Sequence, residues 1–162
     1  MRVSILENYV DRILLDYDVK YEVFMDRYYE TIRNRAKKLL GDLLKDIGVS
    51  KSQSGNTHVV LYLRREIPER ITVIIAFFMG SDAKRECFNW FRLIEFGTSG
   101  TVFFNEYTKK AVRDKCNGNK EHLRKMMIKR CPGLVIYAYK YAQLVNYLGW
   151  EAFRLALEGK LY

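Results

Sequence analysis

Ile71-Thr72-Val73-Ile74-Ile75-Ala76-Phe77-Phe78-Met79 is the most apolar run of this chain, and the fold turns on how it is read. It is rich in β-branched and aromatic residues and is bounded by Glu69-Arg70 and by Gly80-Ser81, so it reads as a central strand covered on both faces. Upstream, Thr57 to Arg65 (THVVLYLRR) reads as a second strand. Glu66-Ile67-Pro68-Glu69 between them reads as a turn, which predicts a hairpin. Ser50 to Asn56 (SKSQSGN) is a polar loop.

Outward from this pair the period changes. Ile5, Tyr9 and Ile13, then Val23, Met25, Tyr28, Ile32, Ala36, Leu39, Leu40, Leu43, Leu44 and Ile47 recur at i, i+3/i+4. Residues 5–47 therefore read as helix, divided near Tyr17–Tyr21 and stopped by Gly48. Downstream, Ser81 is the expected N-cap of a helix over 82–96, with Asp82 at its positive end. Its core face is expected to carry Cys87, Phe88, Phe91, Leu93 and Ile94. Residues 98–104 follow as a loop and a short extended piece. Residues 105–116 and 120–131 read as basic helices divided by Asn117-Gly118-Asn119. Pro132 opens a last helix, with Leu134, Ala138, Tyr141, Val145, Leu148, Ala152 and Leu155 on one stripe. The class is α+β: a long N-terminal helix, a small antiparallel sheet, a helix after the sheet, and a helical C-terminal third. No linker divides the chain, so residues 1–162 read as one domain. Within it lie a helical stretch over residues 1–48, an α+β core over 49–107, and a basic, aromatic helical stretch over 108–162.

Composition narrows the function. With 162 residues, 49% hydrophobic and 29% charged, the chain suits one globular domain with a proper core. The longest uncharged apolar stretch, Ile71 to Ser81, is too short to span a bilayer as a helix, so no membrane partner is expected. Glu7 and Asp11 interrupt the N-terminal region where a secretion signal needs an apolar core. Few Gln and many Lys, Arg and Tyr fit either a heat-adapted source or an AT-rich viral genome. The net charge is +9, and +6 of it falls within residues 105–130. Lys109, Lys110, Arg113, Lys115, Arg124, Lys125, Lys129 and Arg130 form the candidate contact to double-stranded DNA or another polyanion; the plainer reading is a solvated face.

The three cysteines, Cys87, Cys116 and Cys131, are an odd set, expected as reduced thiols in a cytoplasmic setting. Cys116, His122 and Cys131, even joined by Cys87 or His58, match no standard zinc spacing, and no metal or cofactor is expected. Phosphate-loop, dinucleotide, nucleophile-elbow and zinc-protease motifs are all missing from the sequence. Asp82-Ala83-Lys84 with Glu86, just after the apolar run, is the one enzyme candidate. Such a triplet can hold Mg²⁺ and activate water in a nuclease; the plainer reading is the first turn of a helix. Asp16-Tyr17-Asp18 resembles a metal-binding pair, but on the expected helix its carboxylates do not share a face. Ser54-Gly55-Asn56 with Lys51 could hold phosphate through backbone N–H groups, and reads more simply as a connection.

Trp90 to Thr98 (WFRLIEFGT) carries a resemblance. Ile94-Glu95-Phe96-Gly97-Thr98 is similar to the Val/Ile–Glu–aromatic–Gly–Thr motif of the neck, or tail-completion, proteins that join head and tail in long-tailed bacteriophages. The order of expected elements is similar too: a Lys/Ala-rich helix (Thr31 to Gly48), a polar loop (Ser54-Gly55-Asn56-Thr57), two strands, then the motif helix. The likeness covers roughly residues 28–115. It implies a virion protein, made in the host cytoplasm, that forms a homo-oligomeric ring around the DNA path and performs no catalysis. Its partners would be the neighbouring connector and tail proteins. Glu95 would face a neighbour or cap backbone N–H groups, Phe96 would anchor the helix, and Gly97 would allow the turn. The aromatic C-terminal helix would be an added interface. A small basic Mg²⁺-dependent nuclease or a DNA-binding module is the alternative.

Overall fold

The computed structural model describes residues 8–96 and 120–149. It is α+β, but it opens on a strand rather than on a long helix. Strand β1 (Tyr9–Lys20) leads into helices α1 (Tyr21–Arg27) and α2 (Tyr29–Leu40) and a 3-10 turn (Gly41–Leu43). Strands β2 (Leu44–Lys51) and β3 (Asn56–Pro68) follow, then helices α3 (Glu69–Phe78), α4 (Ala83–Phe96) and α5 (Lys120–Leu148). The sheet order is β1-β3-β2, with both outer strands antiparallel to β3. The outer strands are therefore parallel to each other, and α1 and α2 carry the chain from one sheet edge to the other.

The alternation in β1 and β3 explains the sheet. Ile13, Leu15 and Tyr17, with Thr57, Val59, Leu61 and Leu63, are buried on one face. Arg12, Asp16, His58 and Tyr62 lie on the opposite, more open face, where the Arg12 guanidinium sits 5.8 Å from the Tyr62 ring centroid. Phe24, Ala36, Leu39 and Leu40 from the first helices join the buried strand residues in one core. Gly41, at φ +56°, ends α2 in a backbone conformation that side chains disfavour and lets the chain turn into β2.

The apolar run 71–79 is a helix, not a strand. Glu69 and every residue from Ile71 to Ala76 are buried, because α3 touches β1 and β3 as well as α4 and α5. A helix enclosed on all sides has no polar face, so its sequence shows no helical period. The hairpin is accordingly β2–β3. Its turn, Ser52 to Gly55, is closed by Gly55 N–H to Ser52 O at 3.0 Å and Ser52 N–H to Asn56 O at 2.9 Å. Gly48 lies inside β2 rather than ending a helix. Residues 44–68 are strand–turn–strand, so the helix–loop–strand–strand–helix order behind the resemblance is not the order of the chain. Pro132 lies inside α5 instead of starting it.

Tyr17 ties the sheet to the end of α3. Its hydroxyl donates to the Met79 carbonyl at 2.8 Å in the core, and burial pushes its ionisation well above the ordinary value. Replacing Tyr17 with Phe should cost about 1–2 kcal/mol in a denaturant titration, since it removes a buried donor while keeping the ring.

Candidate functional site

Just beyond α3, the chain meets the outer edge of β1. The Ser81 hydroxyl accepts the Asp16 N–H at 2.9 Å, and Asp82 N–H donates to the Asp16 carbonyl at 2.7 Å. Asp82, not Ser81, then caps α4: its carboxylate accepts Lys84 N–H at 3.1 Å. The acid–x–Lys triplet thus takes the place its plainer reading gave it, a first helical turn.

The fold does bring carboxylates together here. On β1, Asp16 and Asp18 share a face, as alternate residues of a strand must, which the expected helix would have prevented. Both are engaged. His58 Nε2 is 3.4 Å and Arg85 Nη1 3.7 Å from Asp16, and Asn56 donates to Asp18 at 2.8 Å. Glu86 lies close enough to feel the charges of Asp16, Asp82 and Arg85, yet it is fully buried. Its Oε1 accepts from Asn89 at 3.2 Å and its Oε2 has no hydrogen-bond partner. Burial pushes its pKa up to about 8, so it is largely protonated at neutral pH. Among the described residues, no three His, Cys, Asp or Glu side chains are grouped to hold a metal ion. Ser54 accepts the Lys20 ammonium through its carbonyl at 2.9 Å, and Lys51 pairs with Glu22 at 2.7 Å, so that loop binds its own chain.

The core face of α4 differs from expectation. Phe91 is fully buried, whereas Ile94 is 40% exposed. Glu86, Asn89 and Arg92 are buried in its place. The Arg92 guanidinium lies 5.0 Å from the Phe88 ring; burial lowers its pKa and the charge of Glu69 opposes that shift. Glu69 in turn accepts from Asn8 at 2.7 Å. A buried polar layer in an otherwise apolar helix contact gives no periodic signal in the sequence.

Cys87 of α4 and Cys131 of α5 form a disulfide, with Cα atoms 5.3 Å apart. This corrects the expectation of three reduced thiols: an odd count accommodates one bridge, and the contact joins residues 44 apart. Cys116 lies outside the described residues.

The remaining candidate is the outer face of α5. Leu134 and Ala138 are buried and Val145 half-buried, as the expected stripe requires. The opposite side exposes Lys125, Lys129, Val135 (49%), Ile136 (54%) and Tyr139 (63%). These positions fall on one helical face, basic toward its start and apolar further on. Arg124 and Arg130 also lie on α5. Lys109, Lys110, Arg113 and Lys115 lie outside the described residues, as do Gly97 and Thr98; Ile94, Glu95 and Phe96 form the last turn of α4. No described helix is long and apolar enough to cross a membrane. No protein-family model, curated protein or solved structure matches the chain.

Proposed function

We propose that this protein is a structural, homo-oligomeric subunit of the virion head–tail neck, forming a ring around the DNA path. The observation that carries the self-assembly is the exposed apolar group Val135, Ile136 and Tyr139 on α5. A cluster of large apolar side chains beside lysines is costly to leave in water and is the usual anatomy of an interface. The neck assignment rests on the Ile94–Thr98 resemblance. The Cys87–Cys131 bridge fits a protein that works in a particle outside the reducing cell. The basic residues of α5 suit the channel wall or an acidic neighbour.

Light scattering tests this reading. A discrete multimer of the 19.2 kDa chain, unchanged between low and moderate salt and seen by electron microscopy as rings with an open centre, is the expected result. A single-chain mass at every concentration tried would overturn it.

A further inference from the structure

Between helix α2 and strand β2 the surface opens into a groove of about 400 Å³, a volume that suits a small ligand. One wall is a row on α2, Tyr29, Arg33 and Lys37, which the i, i+4 spacing sets one above the next. The other wall is Leu44, Lys45 and Ile47 at the start of β2. A register shift falls between Leu44 and Asp46 and leaves Lys45 without a partner on β3. In a regular strand neighbouring side chains leave on opposite faces; the shift lets Leu44 and Lys45 line the same groove. Tyr29, Leu44 and Ile47 are partly buried and pack against the core, so the groove joins an apolar surface to three cations.

We propose that this groove binds a nucleoside phosphate, with the flat base against Tyr29, Leu44 and Ile47 and the phosphate among Arg33, Lys37 and Lys45. Charge is the first support. The three cations share the groove with one acid, Asp46, and its carboxylate is turned to its own strand, accepting the Ile47 N–H at 2.8 Å. Lys37 and Lys45 have no ion-pair partner among the described residues. Arg33 lies 3.7 Å from Glu30, a long and exposed contact that a phosphate can replace. A guanidinium fork beside two ammonium groups is the donor set that a phosphate takes best. The apolar half is the second support. A bare anion has no use for Tyr29, Leu44 and Ile47, whereas a base of any kind can lay its face on an aromatic ring. A free nucleotide and a nucleotide of single-stranded nucleic acid offer this same chemistry. The site does not rest on the assembly reading.

Isothermal titration calorimetry of the full chain with adenosine diphosphate tests it, beside pyrophosphate and a short single-stranded oligonucleotide. Adenosine diphosphate should bind saturably and pyrophosphate about tenfold more weakly. The double variant Lys37→Gln/Lys45→Gln, both at exposed positions, should weaken adenosine diphosphate by about tenfold or more. Lys38→Gln removes the same charge from the next position of α2, outside the groove, and should leave the affinity within about twofold. Tyr29→Leu keeps an apolar side chain against the core and should bring adenosine diphosphate down to the affinity of pyrophosphate. Tighter binding of the oligonucleotide, lost in the same double variant, would identify nucleic acid as the source of the ligand; tighter binding of adenosine diphosphate would identify the free nucleotide. No saturable binding at millimolar concentration would overturn the site. So would an equal loss in Lys38→Gln and the double variant, which would show attraction to net charge alone. Equal wild-type affinities for pyrophosphate and adenosine diphosphate would overturn the nucleoside part and leave a bare anion contact.

Discussion

Glu86→Gln should abolish most of the fall in stability that the wild-type protein shows between pH 5 and pH 8. The sign follows from the carboxyl's surroundings. Glu86 is fully buried and its pKa is raised from 4.5 to about 8, first by burial and then by the neighbouring acids Asp16 and Asp82, against the opposing Arg85 and Asn89. The folded state therefore holds a proton that the unfolded chain releases above about pH 4.5. Below that pH the group is neutral in both states and costs nothing. Between 4.5 and 8 each pH unit costs the folded state about 1.4 kcal/mol, and above 8 the loss levels off. Over pH 5 to 8 the difference in unfolding free energy between variant and wild type should grow by about 4 kcal/mol, a shift of roughly 10 °C in melting temperature. Denaturant titrations at pH 5, 6, 7 and 8 measure it. Parallel pH dependences for the two proteins would mean that Glu86 reaches water and ionises in the folded state.

Cys131→Ser should have a comparable effect at every pH. The bridge to Cys87 closes a loop of 44 residues, and losing that constraint on the unfolded chain costs roughly 4 kcal/mol by loop-closure entropy. Wild type treated with a reductant should melt with Cys131→Ser, and Cys87→Ser should match both. Cys116→Ser is the control, expected to melt with the oxidised wild type. Thiol labelling of the denatured, unreduced protein should find one free cysteine. Three would show that the bridge does not form in solution, and the reductant would then leave the melting temperature unchanged.

The sequence is most readable where one face of an element meets water. β3 alternates Thr57, Val59, Leu61 and Leu63 inward with His58, Tyr62 and Arg64 outward, and its pattern predicts the strand that is found. Helix α4 has a capping acid and a mixed surface, and its limits follow from the sequence to within a residue. The differences arise where that contrast fails. In α3 everything from Ile71 to Ala76 is buried, so the β-branched residues speak for a strand while the enclosing layers decide for a helix. In β1, Tyr9 and Ile13 fit an i, i+4 spacing by chance, and this hides the alternation of Ile13, Leu15, Tyr17 and Val19. Leu44 and Ile47 continue the helical spacing of α2 past Gly41, where the backbone turns away.

For function the order is reversed. The basic and apolar composition of α5 is legible, because exposed side chains declare themselves by type. The Cys87–Cys131 bridge and the Glu69–Arg92 and Glu86–Asn89 layer are not, because they depend on how helices are enclosed and which of them meet across long separations in the chain. A buried Glu looks in sequence like any solvated Glu between Arg85 and Cys87.

The hydrogen bonds from Asp16 to Ser81 and Asp82 have a further consequence for how copies of this chain can grow together. They occupy backbone groups on the outer side of β1 that another strand would need. A sheet stoppered on one side cannot be extended from both. Two copies that met through the β2 edge, which pairs with no further strand among the described residues, would make one continuous sheet and stop there. The fold thereby bars the route to open fibres by strand addition and leaves larger assembly to the helical surfaces, where geometry can close it.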